Sequence, residues 1–184
     1  MKNIKILPHF FGLFFVFTMA LTPPALAKSA AELQLGYDEA IERLMREVTG
    51  ARDILEKSNG ILVIPGIWKA GFGIGGEYGE GVLKVDGGIA DYYSQVSLSI
   101  GWQLGVQKRT VILVFMDDVV LQDFMHSDGW EFGVDASATF VDVGVDGEIS
   151  SLTHNEPIIG FVLGQKGLMG NLTLEGYKLT KIKK

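Results

Sequence analysis

At Gly60 the apolar residues of this chain change period from 3.6 to 2, and no other feature limits the possible folds as much. Before that point Leu33, Tyr37, Ile41, Leu44 and Val48 recur at steps of three or four, the stripe of an amphipathic helix over residues 29 to about 48. Residues 51–57 read as a second short helix, stopped by Ser58-Asn59-Gly60. After it, residues 61–64 and 111–115 are short, unbroken and rich in β-branched side chains, as strands covered on both faces should be. These two strands are expected at the centre of the sheet.

Val96, Leu98, Ile100, Trp102, Leu104 and Val106 alternate with small or polar residues, which predicts a strand whose Val96 phase is buried. A second alternation starts at Phe132 and slips by one residue after Phe140 onto Val141, Val143 and Val145, so a β-bulge is expected there. Asp86-Gly87-Gly88 and Asp146-Gly147 have the residues of tight hairpin turns. Asp117 is placed to cap a helix running from Asp118 to about His126, which would bury Val120, Leu121, Phe124 and Met125. Leu172, Leu174, Tyr177 and Leu179 make the last strand, with a phase change at Gly176.

The first 27 residues read as an address. Lys2 and Lys5 precede an apolar run from residue 10 to 21, prolines 23 and 24 break it, and Ala25-Leu26-Ala27 supplies the small-x-small cleavage pattern of a secretory signal peptide. The run is well short of the roughly 20 residues of a membrane-spanning helix. Cleavage after Ala27 would leave one domain, residues 28–184, and place it in the periplasm or outside the cell. The segment carries two of the 16 Lys and Arg and none of the 22 Asp and Glu, so the remaining 157 residues have a net charge of −8. Such a balance argues against nucleic acid as a partner. With no Cys there is neither a disulfide nor a lipidation thiol, and stability must come from the core.

Twenty-three glycines lie in those 157 residues, about twice the usual share of roughly 7%, and many fall inside strand patterns. Glycine there marks bends, bulges or close backbone approach. The fold class is therefore α+β: N-terminal amphipathic helices on a strongly curved, mainly antiparallel, barrel-like sheet, with one inserted helix.

None of the motifs specifies a reaction. Residues 71–76, Gly-Phe-Gly-Ile-Gly-Gly, match a dinucleotide fingerprint, but residues 77–85 read as strand where a phosphate-binding helix should begin. His126 and His154 stand apart with no second ligand near, so no metal is expected, and no cofactor. The acidic pairs Glu77 and Glu80, Asp117 and Asp118, and Asp142 and Asp146 could in principle serve a glycosidase, yet on so acidic a chain they read as solvated surface. No enzyme is expected. Two features suit a membrane surface. The tail gathers Lys178, Lys181, Lys183 and Lys184, worth roughly 4 kcal/mol against anionic lipid at about 1 kcal/mol each. Trp68-Lys69 is expected in a loop after Pro65.

Residues 60–65, Gly-Ile-Leu-Val-Ile-Pro, and 69–81, Lys-Ala-Gly-Phe-Gly-Ile-Gly-Gly-Glu-Tyr-Gly-Glu-Gly, resemble the signature block of the SYLF domain, a lipid-binding domain that also occurs as an actin-binding module in yeast proteins. Further blocks succeed it in the family's order at residues 101–107, 111–114, 133–136, 166–170 and 174–176, so the similarity covers nearly all of residues 30–182. The resemblance implies a non-enzymatic domain that binds membrane phospholipids peripherally. For contacts it suggests Leu33, Tyr37, Ile41, Leu44, Trp68, Lys69 and Phe72, with the four tail lysines. The first helix departs from the family's phosphoinositide mode, because Glu32, Asp38, Glu39, Glu42 and Glu47 outweigh Arg43 and Arg46 and an acidic helix is repelled by anionic lipid. A signal peptide also separates the chain from cytosolic actin. The chain thus resembles an exported bacterial member acting at the cell envelope. Two other readings stand beside this: a soluble carrier holding an apolar ligand inside the curved sheet, or an envelope module that recruits a protein partner.

Overall fold

The computed structural model describes residues 27–101, 107–131, 135, 138–143, 156–164 and 177–184. Two helices lead, α1 (Ala30–Glu47) and α2 (Ala51–Lys57). Strands β1 (Gly60–Val85), β2 (Gly88–Gly101) and β3 (Gln107–Phe115) come next, then α3 (Asp118–His126). Four short strands complete the described part: β4 (Trp130–Glu131), β5 (Thr139–Asp142), β6 (Ile158–Leu163) and β7 (Lys178–Ile182). The fold is α+β, with one strongly curled sheet forming a half-barrel. Its strand order among the described residues is β4-β7-β2-β1-β3-β6-β5. Every pair is antiparallel except β5 with β6, which is parallel.

Local chemistry accounts for the element ends. Ser29 caps α1 in a capping box: its hydroxyl accepts from the Glu32 amide while the Glu32 carboxylate accepts from the Ser29 amide at 2.7 Å. Asp117 caps α3, its carboxylate accepting from Val120 N at 3.1 Å, and α3 buries Leu121 and Phe124 as expected. Asp86 (φ 50°) and Gly87 (φ 75°) close the β1–β2 hairpin with both central residues left-handed, the geometry that suits the twist of paired strands.

The curl comes from β1 itself. Its first half pairs with β3 and its second half with β2, and the two halves touch: a Cβ on Gly81 would lie 2.4 Å from the Val63 carbonyl oxygen. Residues 63 and 81 of a straight strand would be roughly 60 Å apart. The glycine block between them lets the strand turn back, and the backbone through residues 71–76 is strand, as read against the dinucleotide motif.

Two cores result. On one face Leu62, Ile64, Leu83, Tyr93, Leu113 and Phe115 pack under α3 with Leu121, Phe124 and Trp130. On the other, Val63, Val82, Ile112, Val114 and Phe161 lie beneath α1 and α2 through Tyr37, Ala40, Leu44, Val48 and Ile54. Residues 62–64 and 111–115 are buried, Ile61 is half-buried, and the two strands neighbour each other mid-sheet, as expected.

Two expectations need correction. Trp68 and Lys69 are in no loop: between Ile64 and Ile67 β1 carries one extra residue opposite Val111 and Arg109, with Gly66 at φ 79°, and the strand continues. That bulge keeps Ile64 and Ile67 on one face and turns Trp68 to the other. The phase of β2 is also inverted at Val96, which is 49% exposed while Gln95 and Ser97 are buried. The inner surface of the curl accepts polar groups there, so alternation alone misleads. A third expectation fails at Phe140: β5 keeps an unbroken register against β6 from Thr139 to Asp142, so there is no bulge, and ordinary alternation turns Phe140 to one core and Val141 and Val143 to the other. The turn at residues 146–147, the alternation from 102 to 106, His154, the strand before residue 177 and the first 26 residues lie outside the described residues.

Candidate functional site

No described helix is long and apolar enough to cross a membrane, and no cluster of metal-binding side chains occurs among the described residues. The functional interest lies in how the sequence-derived contacts are distributed. Leu33, Tyr37 and Leu44 are buried in the core between α1 and the sheet, and Ile41 is half-buried beside them. Helix α1 thus packs on the sheet. Gly36 allows the close approach, since a Cβ there would sit 2.7 Å from the Pro65 ring. Lys84 adds a latch, with its ammonium 3.1 Å from Asp38 and 4.1 Å from the Tyr37 ring centre. Lys69 and Phe72 sit in β1, with side chains outside the described residues.

The tail lysines divide. Lys181 pairs with Asp91 at 2.6 Å and Lys184 with Glu80 at 2.8 Å, while Lys178 and Lys183 have no acidic partner among the described residues. The electrostatic contribution of the tail to an anionic surface falls accordingly to roughly 2 kcal/mol.

The outer face of the sheet beyond α1 holds exposed apolar groups. Tyr78, Val96 and Lys178 stand opposite one another across β1, β2 and β7, all exposed. Trp68 stands opposite Lys108 on β1 and β3, its ring 5.7 Å from the ammonium. Glu80, Lys28 and Gly66 link the two groups: Tyr78 donates to Glu80 at 2.8 Å, Lys28 N donates to Glu80 at 2.8 Å, and a Cβ on Gly66 would lie 3.4 Å from both the Lys28 and the Lys108 ammonium nitrogens. A cleft of about 320 Å³ opens beside them, lined by Lys28, Arg43 and Lys108 with Leu35, Gly36 and Pro65; Glu32 and Glu39 also line it. Burial, and then the neighbouring Lys108, push the Lys28 ammonium below its ordinary value against the pull of Glu80 and Glu32. Burial and the bond to Glu80 push the Tyr78 hydroxyl up to about 12, so it stays a neutral donor. Sequence reasoning found Trp68 and Lys178 but missed Tyr78, Val96 and Lys108, which only the strand register brings together.

Glu77 and Glu80 correct a further reading, for neither is solvated. Each is 4% exposed, and because they are three residues apart on a strand they face opposite sides of the sheet. They cannot act as an acid and base pair on one substrate. Glu80 accepts from Lys184, Tyr78 and Lys28 N. Burial pushes its carboxyl up, but those three donors outweigh burial and hold it below the ordinary carboxylate value. A depressed folded pKa contributes stability that is complete above the unfolded value near 4.5 and disappears as pH falls through the folded one. Thermal melts between pH 7 and pH 3 should therefore show a steeper acid loss for the natural chain than for Glu80→Gln; parallel curves would remove Glu80 from the acid response.

Inside the curl, Gln95 is 1% exposed and neither its amide oxygen nor its nitrogen has a hydrogen-bond partner among the described residues. It lines a void of about 10 Å³ with Ile64, Ile67, Val111 and Tyr177. That space suits one water molecule. Among the described residues this void has no room for an acyl chain.

The family model described as Las17-binding protein actin regulator, Ysc84, matches residues 96–184. Over those residues the chain is similar to the SYLF family. No curated protein matches the chain. The SYLF match begins at Val96 in the middle of β2 and takes in β3, α3 and every later strand. The glycine block of β1 precedes it, so the SYLF resemblance of that block and the matched region are separate parts of one sheet.

Proposed function

We propose that the protein is a non-enzymatic, peripheral phospholipid-binding protein of the bacterial cell envelope, exported by a signal peptide cleaved after Ala27. The observation that carries this reading is the exposed pair Trp68 and Tyr78 with Val96, flanked by Lys108 and Lys178 and adjoining the cation-lined cleft. Aromatic rings with a polar edge suit the headgroup boundary, and lysines beside them suit anionic headgroups. The family description supports binding rather than catalysis. Export keeps the protein from cytosolic actin, and membrane phospholipid is the expected partner. In this reading α1 stays on the sheet, and of its five acids Glu32 and Glu39 line the cleft together with Lys28, Arg43 and Lys108.

Flotation of the processed protein with phosphatidylglycerol-containing vesicles and with phosphatidylcholine vesicles, at low and moderate salt, tests the proposal. Salt-sensitive association with the anionic vesicles is expected. Trp68→Ala should weaken it about 10- to 100-fold, since burying a large apolar side chain contributes about 1.5–3 kcal/mol. Absence of association with either vesicle, or an undiminished Trp68→Ala variant, would remove the reading.

A further inference from the structure

Glu80 is where two distant parts of the chain meet β1. Lys28 N and Lys184 Nζ each donate to its Oε2 at 2.8 Å, and Tyr78 donates to Oε1 at 2.8 Å. The side chains of Glu80 and Lys184 are 5% and 10% exposed, so the group is withdrawn from water. Lys28 is also held through its side chain, whose ammonium donates to the Pro65 carbonyl. Ala27, immediately before it, is exposed and lies outside any helix or strand.

Lys28 is also the first residue after the small-x-small pattern at residues 25–27. That pattern is a property of the sequence alone, whereas the bond from Lys28 N to a buried carboxylate is visible only in the fold. Their coincidence has a chemical consequence. Hydrolysis of the Ala27–Lys28 bond consumes one water; Ala27 leaves with a carboxylate, and the Lys28 nitrogen becomes an amine that takes up a proton. An uncharged amide donor then becomes an ammonium at the same place.

We infer that removal of the leader completes a clasp: the new Lys28 α-ammonium pairs with Glu80, beside Lys184, and ties the start of α1 and the end of β7 to the middle of β1. A charged donor to a buried carboxylate is stronger than an amide donor. Around it stand Glu80 and Tyr78 from β1 and Lys184 beyond β7, while the Lys28 side chain also meets Glu32 from α1 and Lys108 from β3. Glu80 and Glu32 are two carboxylates against four cations, the α-ammonium and the side chains of Lys28, Lys108 and Lys184, so the clasp depends on Glu80. The chain therefore gains its full stability only after processing, and the unprocessed form is the looser one. This inference rests on the export reading alone and is independent of lipid binding.

The test uses the full chain exported from a bacterial host and recovered after processing. Its intact mass should correspond to residues 28–184. A second chain carries one Ser inserted between Ala27 and Lys28, which moves the α-ammonium a residue away from Glu80 while leaving every native side chain in place. At pH 6 the insertion should lower Tm by about 4–8 °C, the scale of one lost charged hydrogen bond in a domain of this size. In a Glu80→Gln background, which keeps the side chain's shape, the insertion should have no effect. An unchanged Tm on insertion, an equal drop in the Glu80→Gln background, or a mass placing the first residue elsewhere would each overturn the inference.

Discussion

Gly81→Ala is expected to cost about 3 kcal/mol or more and to lower Tm by about 6–12 °C. The added methyl would lie 2.4 Å from the Val63 carbonyl oxygen and 2.8 Å from Ile64 Cγ1. A flexible side chain could move aside, but a carbonyl oxygen within the β1–β3 ladder cannot move without breaking that ladder. The strain therefore falls on the contact that makes the strand curl. Gly76→Ala is the matched control: it lies on the same strand, is exposed, and beyond its two adjoining residues the added methyl would meet Ser97 O at 3.9 Å, an ordinary contact. Its change should stay within about 0.5 kcal/mol, with any gain coming from a less flexible unfolded chain. Circular-dichroism melts of the two variants decide the matter. If Gly81→Ala melted with Gly76→Ala, the closeness of the two halves of β1 would not be what holds the curl.

The contrast between these two glycines also shows what can be read from the chain before folding. Both belong to one glycine-rich block, and the block does announce a bent strand with close approaches. It cannot say which glycine meets the backbone, because that depends on β1 turning back on itself. The helices are legible for a simple reason: Leu33, Tyr37 and Leu44 satisfy their spacing within one element, and the cap residues Ser29 and Asp117 act within a single turn. The Asp86-Gly87 turn is local in the same sense. Val96 misleads because alternation gives a strand's period and not its inside. The apolar phase suggests the inside, whereas Gln95 and Ser97 point inward at a place where the curl accepts polar atoms. Pro65-Gly66 resembles a turn, but paired with β3 it is a bulge that reorients the strand. The candidate surface is the least legible part. Trp68 and Lys178 stand out by composition, while Tyr78, Val96 and Lys108 acquire meaning only from cross-strand register.

The buried polar group on the inner face carries the second large effect. Glu77 pairs with the Arg109 guanidinium and accepts from the Tyr177 hydroxyl at 2.6 Å, and Arg109 also lies 5.4 Å from the Tyr177 ring centre. Glu77 is 3% and Arg109 18% exposed at the side chain, and burial pushes the guanidinium below its ordinary value although Glu77 opposes this. An arginine does not escape by losing its proton. Glu77→Ala would therefore leave a cation withdrawn from water without its carboxylate, a loss of about 3–5 kcal/mol. Arg109→Met is expected to cost less, because Glu77 keeps the Tyr177 donor. The double variant should cost less than the two losses added, by about 1–3 kcal/mol, since removing both partners leaves no uncompensated charge. Urea unfolding of the four proteins gives this coupling directly. Strict additivity would mean that the charges are independently solvated and that the inner face is wetter than its burial indicates. A positive coupling would identify this group as the polar tie among β1, β3 and the segment entering β7. Those are the elements that present Tyr78, Lys108 and Lys178 on the opposite side of the same sheet, so loss of the tie should also loosen the surface proposed to meet lipid.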